Sequence, residues 1–194
     1  MKNLLISLLL FIFAAEGLAI VWTLGAGASA RRDPTPIESF VAPRLRHLAI
    51  PVSAQERKNP VAPSAKSVAE GRAHFADHCA ICHANDGSGD SEVGHGLYPK
   101  PPDMRKDGTQ SLSDGELFYI IENGVRFTGM PAWGSDEGSS GSSREKGEHS
   151  EEDNWELVNF IRHLPKITRA ELEEMERLNP KAPDEHEHGE HHSD

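Results

Sequence analysis

The sequence predicts an all-α protein. Three observations carry that expectation. Capped apolar segments recur at helical spacing, no segment alternates apolar and polar residues as a strand would, and Pro- or Gly-rich stretches separate the helical segments. No internal repeat is visible.

The chain has 194 residues, enough for one modest domain with tails. Its formal net charge of −11 is uneven. Residues 135–154 hold seven acids against two bases, and residues 171–194 hold nine against two, which leaves the rest close to neutral. Acidic runs of this kind are solvated by default and do not define a binding face. No basic stripe, phosphate loop or Ser/His/Asp set supports a nucleic-acid, nucleotide or hydrolase function.

At the N-terminus, Leu4 to Leu24 is almost wholly apolar. As a helix this run measures about 31 Å, the thickness of a bilayer core. Ala28-Ser29-Ala30 then offers a small-residue cleavage site. A secretory signal core is about 7–15 residues, so the longer run favours an uncleaved anchor at residues 4–24, with a cleaved signal over residues 1–30 as the alternative. Either exports the rest to the periplasmic side of an inner membrane. Glu16 interrupts the run and marks either a helix facing another subunit or a tolerated acid. Arg31 and Arg32 fall outside, against the positive-inside bias.

Residues 31–66 carry Pro34, Pro36, Pro43, Pro51, Pro60 and Pro63, which rule out a long helix. They read as a spacer arm with one short amphipathic helix near Ile37 to Leu48. The first clear helix is expected at Ser67, with Glu70 completing a capping box, and Val68, Gly71 and Phe75 on one face. It runs into Cys79. A second starts at Ser113 with Glu116 in its box, buries Leu117, Ile120 and Ile121, and stops at Asn123-Gly124. A third begins near Asp153 and carries Trp155, Leu157, Val158, Phe160, Ile161 and Leu164 before Pro165. A charged fourth is expected from Thr168 with Glu171. Residues 135–154, with Ser-Ser-Gly-Ser-Ser, read as a flexible acidic insert.

The chemistry lies in Cys79-Ala80-Ile81-Cys82-His83, a C-x-x-C-H motif. Two thiols one helical turn apart can each add to a different vinyl group of one porphyrin, and the adjacent imidazole then points at the iron. Shuffling this composition would yield the motif roughly six times in ten thousand, so chance is a poor account. A thioredoxin-like site wants a βαβ setting and a structural zinc site wants four ligands; neither is present in the sequence. The pattern implies one covalent haem c, with His83 as an axial ligand.

The second axial position has four methionines to draw on. Met1 is the start, and Met175 on the charged helix reads as a minor packing residue. Met104 follows Pro101-Pro102-Asp103. Met130 lies in Thr128-Gly129-Met130-Pro131, where a glycine before and a proline after can hold a rigid loop. Met130 is the chosen ligand. His74, His78 and His95 could each replace it but read as surface residues.

From about Ser67 to Leu164 the chain resembles a class I cytochrome c domain of the bacterial, single-haem kind. The resemblance rests on the motif at 79–83, the Gly71/Phe75 spacing, the run at 117–124 and Gly129-Met130-Pro131. The arm and Lys100-Pro101-Pro102-Asp103 resemble membrane-attached cytochromes more loosely. The resemblance implies a small cytochrome c fold of three to four helices over residues 67–165, wrapped around the haem. It implies that the first and last helices cross at Gly71 and Phe75 against Leu157 and Phe160. It implies that the loop at 97–102 covers the His83 side, with a backbone carbonyl, Pro99 being favoured, accepting the His83 ring N–H. Trp133 is placed either at the haem edge or reaching a propionate, or as an ordinary core aromatic. Residues 166–194 form the charged helix and an acidic, His-rich tail.

The implied function is single-electron transfer, without enzymatic activity, between a redox-protein donor and acceptor, alone or as a subunit of a larger redox complex. A sensor or enzyme is the alternative if Met130 is labile. A third reading rests on His186, His188, His191 and His192, whose imidazoles could bind copper, nickel or zinc.

Overall fold

A computed structural model of the chain describes residues 2–26, 29–134 and 150–179. Of the proposed insert at 135–154, residues 135–149 lie outside the described residues, as does the His-rich tail, and residues 150–154 are not insert but the capped start of a helix. The chain divides into two compact units, Met1–Arg32 and Asp33–Asp194. Among the described residues the secondary structure is helical, with no strand.

The first unit is one helix, α1 (Lys2–Ala26). Its Asn3–Val21 window has a mean hydropathy of 2.6, and the helix is long and apolar enough to cross a membrane.

The second unit begins with α2 (Pro36–Ala49), α3 (Val52–Gln55) and α4 (Ala65–His74). Thr35 caps α2 in a full capping box with Glu38, and Pro43 sits inside the helix. The end of the expected spacer is packed into the body. His47 Nδ1 lies 2.6 Å from Glu116, Ser113 Oγ donates to Gln55 O, and Asn59 bonds Trp155 O and Asn159. A Cβ on Gly115 would collide with Ala54 O. Pro-rich composition prevents long helices, but it does not prevent single turns and side-chain bonds from docking.

The cap of α4 is Ser64, not Ser67. Ser67 occupies the third helical position, buried, where its hydroxyl completes the box that Glu70 was expected to complete. It accepts from Ser64 N–H at 3.0 Å and donates to Ala62 O at 3.0 Å. A helix can use any short polar side chain that reaches the free N–H groups of its first turn.

Next come a wide π turn (Phe75–Cys79), α5 (Ala80–His83), α6 (Glu92–His95), α7 (Asp107–Gln110), α8 (Asp114–Asn123), α9 (Glu151–His163) and α10 (Arg169–Leu178). The boxes expected at Ser113/Glu116 and Thr168/Glu171 are both formed. Helix α9 starts earlier than expected, capped by Ser150, with Asp153 at the third position.

The core is built where α4 crosses α9. A Cβ on Gly71 would overlap Glu156 O, so the backbones meet there as only glycine allows. Below it Phe75 and Phe160 pack with ring centroids 5.2 Å apart. Helix α8 closes the other side, with Phe118 stacked on Trp155 at 4.0 Å. The Arg57 guanidinium lies over Phe118, 4.5 Å from its centroid. Met175 is fully buried, so it is a central packing residue and not a minor one. It anchors α10, whose Glu171 and Glu174 bind Arg72 of α4 at 3.0 and 2.6 Å.

Candidate haem site

Helix α4, the π turn and α5 carry the motif as one continuous rod. Cys79 closes the π turn, and Ala80–His83 form a single α turn. Cys79 and Cys82 are therefore one turn apart, with His83 next to the second.

The chain then reverses at once. Ala84 has φ +58, and Gly87 and Gly89 have φ of +71 and +77. Positive φ at Gly87 and Gly89 costs little because neither carries a Cβ. The reversal satisfies the motif's carbonyls. Gly89 N–H donates to His83 O at 2.8 Å, and the Ser91 hydroxyl lies 2.8 Å from Ile81 O and 2.9 Å from Cys82 O. Ser91 also caps α6. Gly94 packs against Cys82, where a Cβ would stand 2.6 Å from its carbonyl oxygen. Sequence reasoning missed Ser91 and Gly94, although Ser91 followed by Glu92 is a cap signal.

His83 is buried at 8% exposure, with its ring 6.4 Å from that of Phe75. Burial pushes its pKa down to about 4, so the imidazole is neutral at neutral pH. Its Nδ1 is buried and takes no hydrogen-bond partner among the described residues. Pro99 O, the favoured acceptor, does not receive it. The proline loop is held by other contacts: Leu97 lies against Gly129, Pro101 against Gly89, and Lys100 on Asp33 at 2.6 Å. Burial pushes the Cys79 thiol up to about 12, with Cys82 adding to the rise, and burial raises the Cys82 thiol as well.

A buried, neutral imidazole keeps one ring nitrogen with a free lone pair, the form in which histidine ligates a metal. Beside two thiols on the same turn it fits a covalently attached porphyrin with an iron to ligate. Cys79 and Cys82 are the residues that could hold it, and His83 is a nitrogen donor that need not lose a proton first.

Met130 is half-buried in a loop with a hydrogen-bonded frame. Val125 N–H donates to Met130 O at 3.1 Å, Thr128 Oγ1 to Val125 O at 2.7 Å, and Met130 N–H to Thr128 Oγ1 at 3.1 Å. The loop reaches the motif region through Gly129 against Leu97 and through Trp133, whose ring stands edge-on to His78 at 5.4 Å. Trp133 thus packs on the residue just before Cys79, partly buried at the edge of the core. Met104 lies in the core and donates its N–H to Gly87 O at 2.8 Å.

The other histidines have neighbours of their own. His95 Nε2 is 2.8 Å from Asp90 on the surface, His78 Nδ1 is 3.1 Å from Asp77, and the His74 ring lies 5.0 Å from that of His78. Among the described residues no group of three or more His, Cys, Asp or Glu stands ready to hold a metal ion.

Residues 66–161, about half of the chain, match a family model described as cytochrome c oxidase, cbb3-type, subunit III. No curated protein matches the chain. The match spans the crossing at Gly71, the C-x-x-C-H turn and the Met130 loop. With its helical fold and a motif suited to covalent haem c, the chain belongs to the c-type cytochromes.

Proposed function

We propose that this cytochrome is a single-electron carrier in an extracytoplasmic redox chain, attached to a membrane by α1 and acting alone or as the cytochrome subunit of a larger complex. In this reading Cys79 and Cys82 form the two thioether bonds, and His83 and Met130 are the axial ligands. The observation that carries it is the buried, neutral His83, placed directly after Cys82 and one turn on from Cys79.

The bound haem supplies an iron that takes up and releases one electron. The protein's part is to keep the coordination unchanged between the two states. The bonds from Gly89 and Ser91 hold the motif turn, and the frame of Thr128 and Val125 holds the Met130 loop. With His83 and Met130 both bound to it, the iron would have no place for oxygen or substrate, which would separate a carrier from an enzyme or sensor. His/Met ligation also raises the reduction potential, suiting a carrier near the oxidising end of a chain.

The test is the visible spectrum of the reduced, exported protein with and without carbon monoxide. We expect a c-type spectrum that the gas leaves unchanged, and one that shifts with the gas in Met130→Ala. A shift in the unsubstituted protein would replace the carrier with a ligand-binding haem protein.

A further inference from the structure

Helix α2 is held to the body at its two ends. His47 meets the buried Glu116, Arg46 is half-buried in the field of the same carboxylate, and Ile50 beyond the helix is 4% exposed. At the other end, Glu38 hydrogen-bonds the Tyr98 hydroxyl, and Asp33 binds Lys100. At about 100° per residue, Pro43, Arg46, His47 and Ile50 fall on one arc and Ile37, Val41, Leu45 and Leu48 on the opposite one, with Phe40 on the flank between them. These five apolar side chains are, in chain order, 75, 60, 38, 59 and 76% exposed.

A continuous exposed stripe of this kind calls for an occupant. Its charges indicate which. Arg31, Arg32 and Arg44 outnumber Asp33 and Glu38, and both acids are already paired. Arg44 rises from within the stripe, its guanidinium 3.6 Å above the Phe40 ring, as a cation carried at the border of an apolar surface. The stripe also follows closely on α1. Residues 27–35, fully extended, reach no further than about 32 Å.

We propose that α2 is an interfacial helix: its Ile37–Leu48 stripe lies at the headgroup–acyl boundary of the membrane that α1 enters, with Arg31, Arg32 and Arg44 among anionic lipid phosphates. The inference rests on reading α1 as a retained membrane segment. Its occupant is the lipid surface, and its chemistry is that of amphipathic helices with a basic border.

The experiment uses full-length holoprotein, in which the haem thioethers consume Cys79 and Cys82 and leave an introduced cysteine as the only thiol. Ile12→Cys, Ser39→Cys and Leu45→Cys are labelled with an environment-sensitive fluorophore. The proteins are reconstituted into vesicles of equal parts phosphatidylcholine and phosphatidylglycerol, with quenchers placed either on the acyl chains or in the water. The lipid-borne quencher should act at least about threefold more strongly at Leu45 than at Ser39, the aqueous quencher should show the reverse order, and removing the anionic lipid should weaken quenching at Leu45. Quenching by lipid at Ile12 with Leu45 in water would overturn the interfacial helix and leave the anchor standing. Lipid contact at neither position would remove the anchor and the inference together. A Leu45 probe that is wet in vesicles but protected in native membranes would overturn the lipid in favour of a protein partner.

Discussion

Single residues decide whether this fold can close. Gly71 is the clearest case, because a methyl group there would overlap the Glu156 carbonyl. Gly71→Ala should destabilise the domain by at least about 2 kcal/mol, since neither backbone can give way without reopening the core; thermal unfolding measures it. The C-x-x-C-H turn was legible in the sequence itself, whereas the crossing glycine and the phenylalanines beneath it followed only from the family resemblance. That His83 Nδ1 goes without the expected carbonyl was legible in neither. A backbone carbonyl has no side-chain signature, and the bonds that hold the proline loop run to Asp33 and Glu38, which are far away in sequence. Ser91 escaped notice for a related reason: its use as a cap is local, but its bonds to Ile81 and Cys82 follow from the chain reversing at Gly87 and Gly89.

At the level of elements, the capping boxes at α8 and α10 were readable because both partners lie within four residues. Ser113→Ala removes the cap of α8 and the bond from its hydroxyl to Gln55 O. It should cost about 1 kcal/mol or somewhat more, and hydrogen exchange should accelerate in α3 as well as in α8. An effect confined to α8 would show that α3 is held by other contacts. The placement of α3 was not legible, because composition marks a Pro-rich stretch as non-helical without saying whether it docks. Gly115 reveals the docking only in three dimensions, through the Ala54 carbonyl that presses on it.

Across the molecule, α10 is fastened by a cluster of charges that titrates. Burial raises the Glu171 carboxyl, but hydrogen bonds from Thr168 and His163 outweigh it and hold the pKa at about 2, against an ordinary value of 4.5. A carboxyl with a depressed folded pKa contributes stability that is present above about 4.5 and lost as pH falls toward 2. Glu171→Gln should therefore lower the melting temperature at pH 7, by about 2–4 °C for each kcal/mol lost. It should make little difference near pH 2, and melts at the two pH values check this. The fate of the N-terminus is also a property of the whole chain. The carrier proposed here should retain residues 1–30, and the mass of the purified protein reads this directly. Sequence length and apolarity showed α1 plainly, since a helix long and apolar enough to cross a membrane needs no partner to be recognised.

The wide turn at Phe75–Cys79 has a further consequence. An α-helix advances about 100° per residue, so an unbroken helix from Gly71 to Cys79 would tie the direction of the motif to the direction of the crossing. The i→i+5 bond from Ala80 N–H to Phe75 O shifts the phase between them. The face turned to α9 and the face that presents the cysteines are thereby set separately. A one-residue deletion within Ala76–His78 would keep Gly71, Phe75, both cysteines and His83 and still aim the motif elsewhere, so along this stretch the count of residues matters as much as their identity.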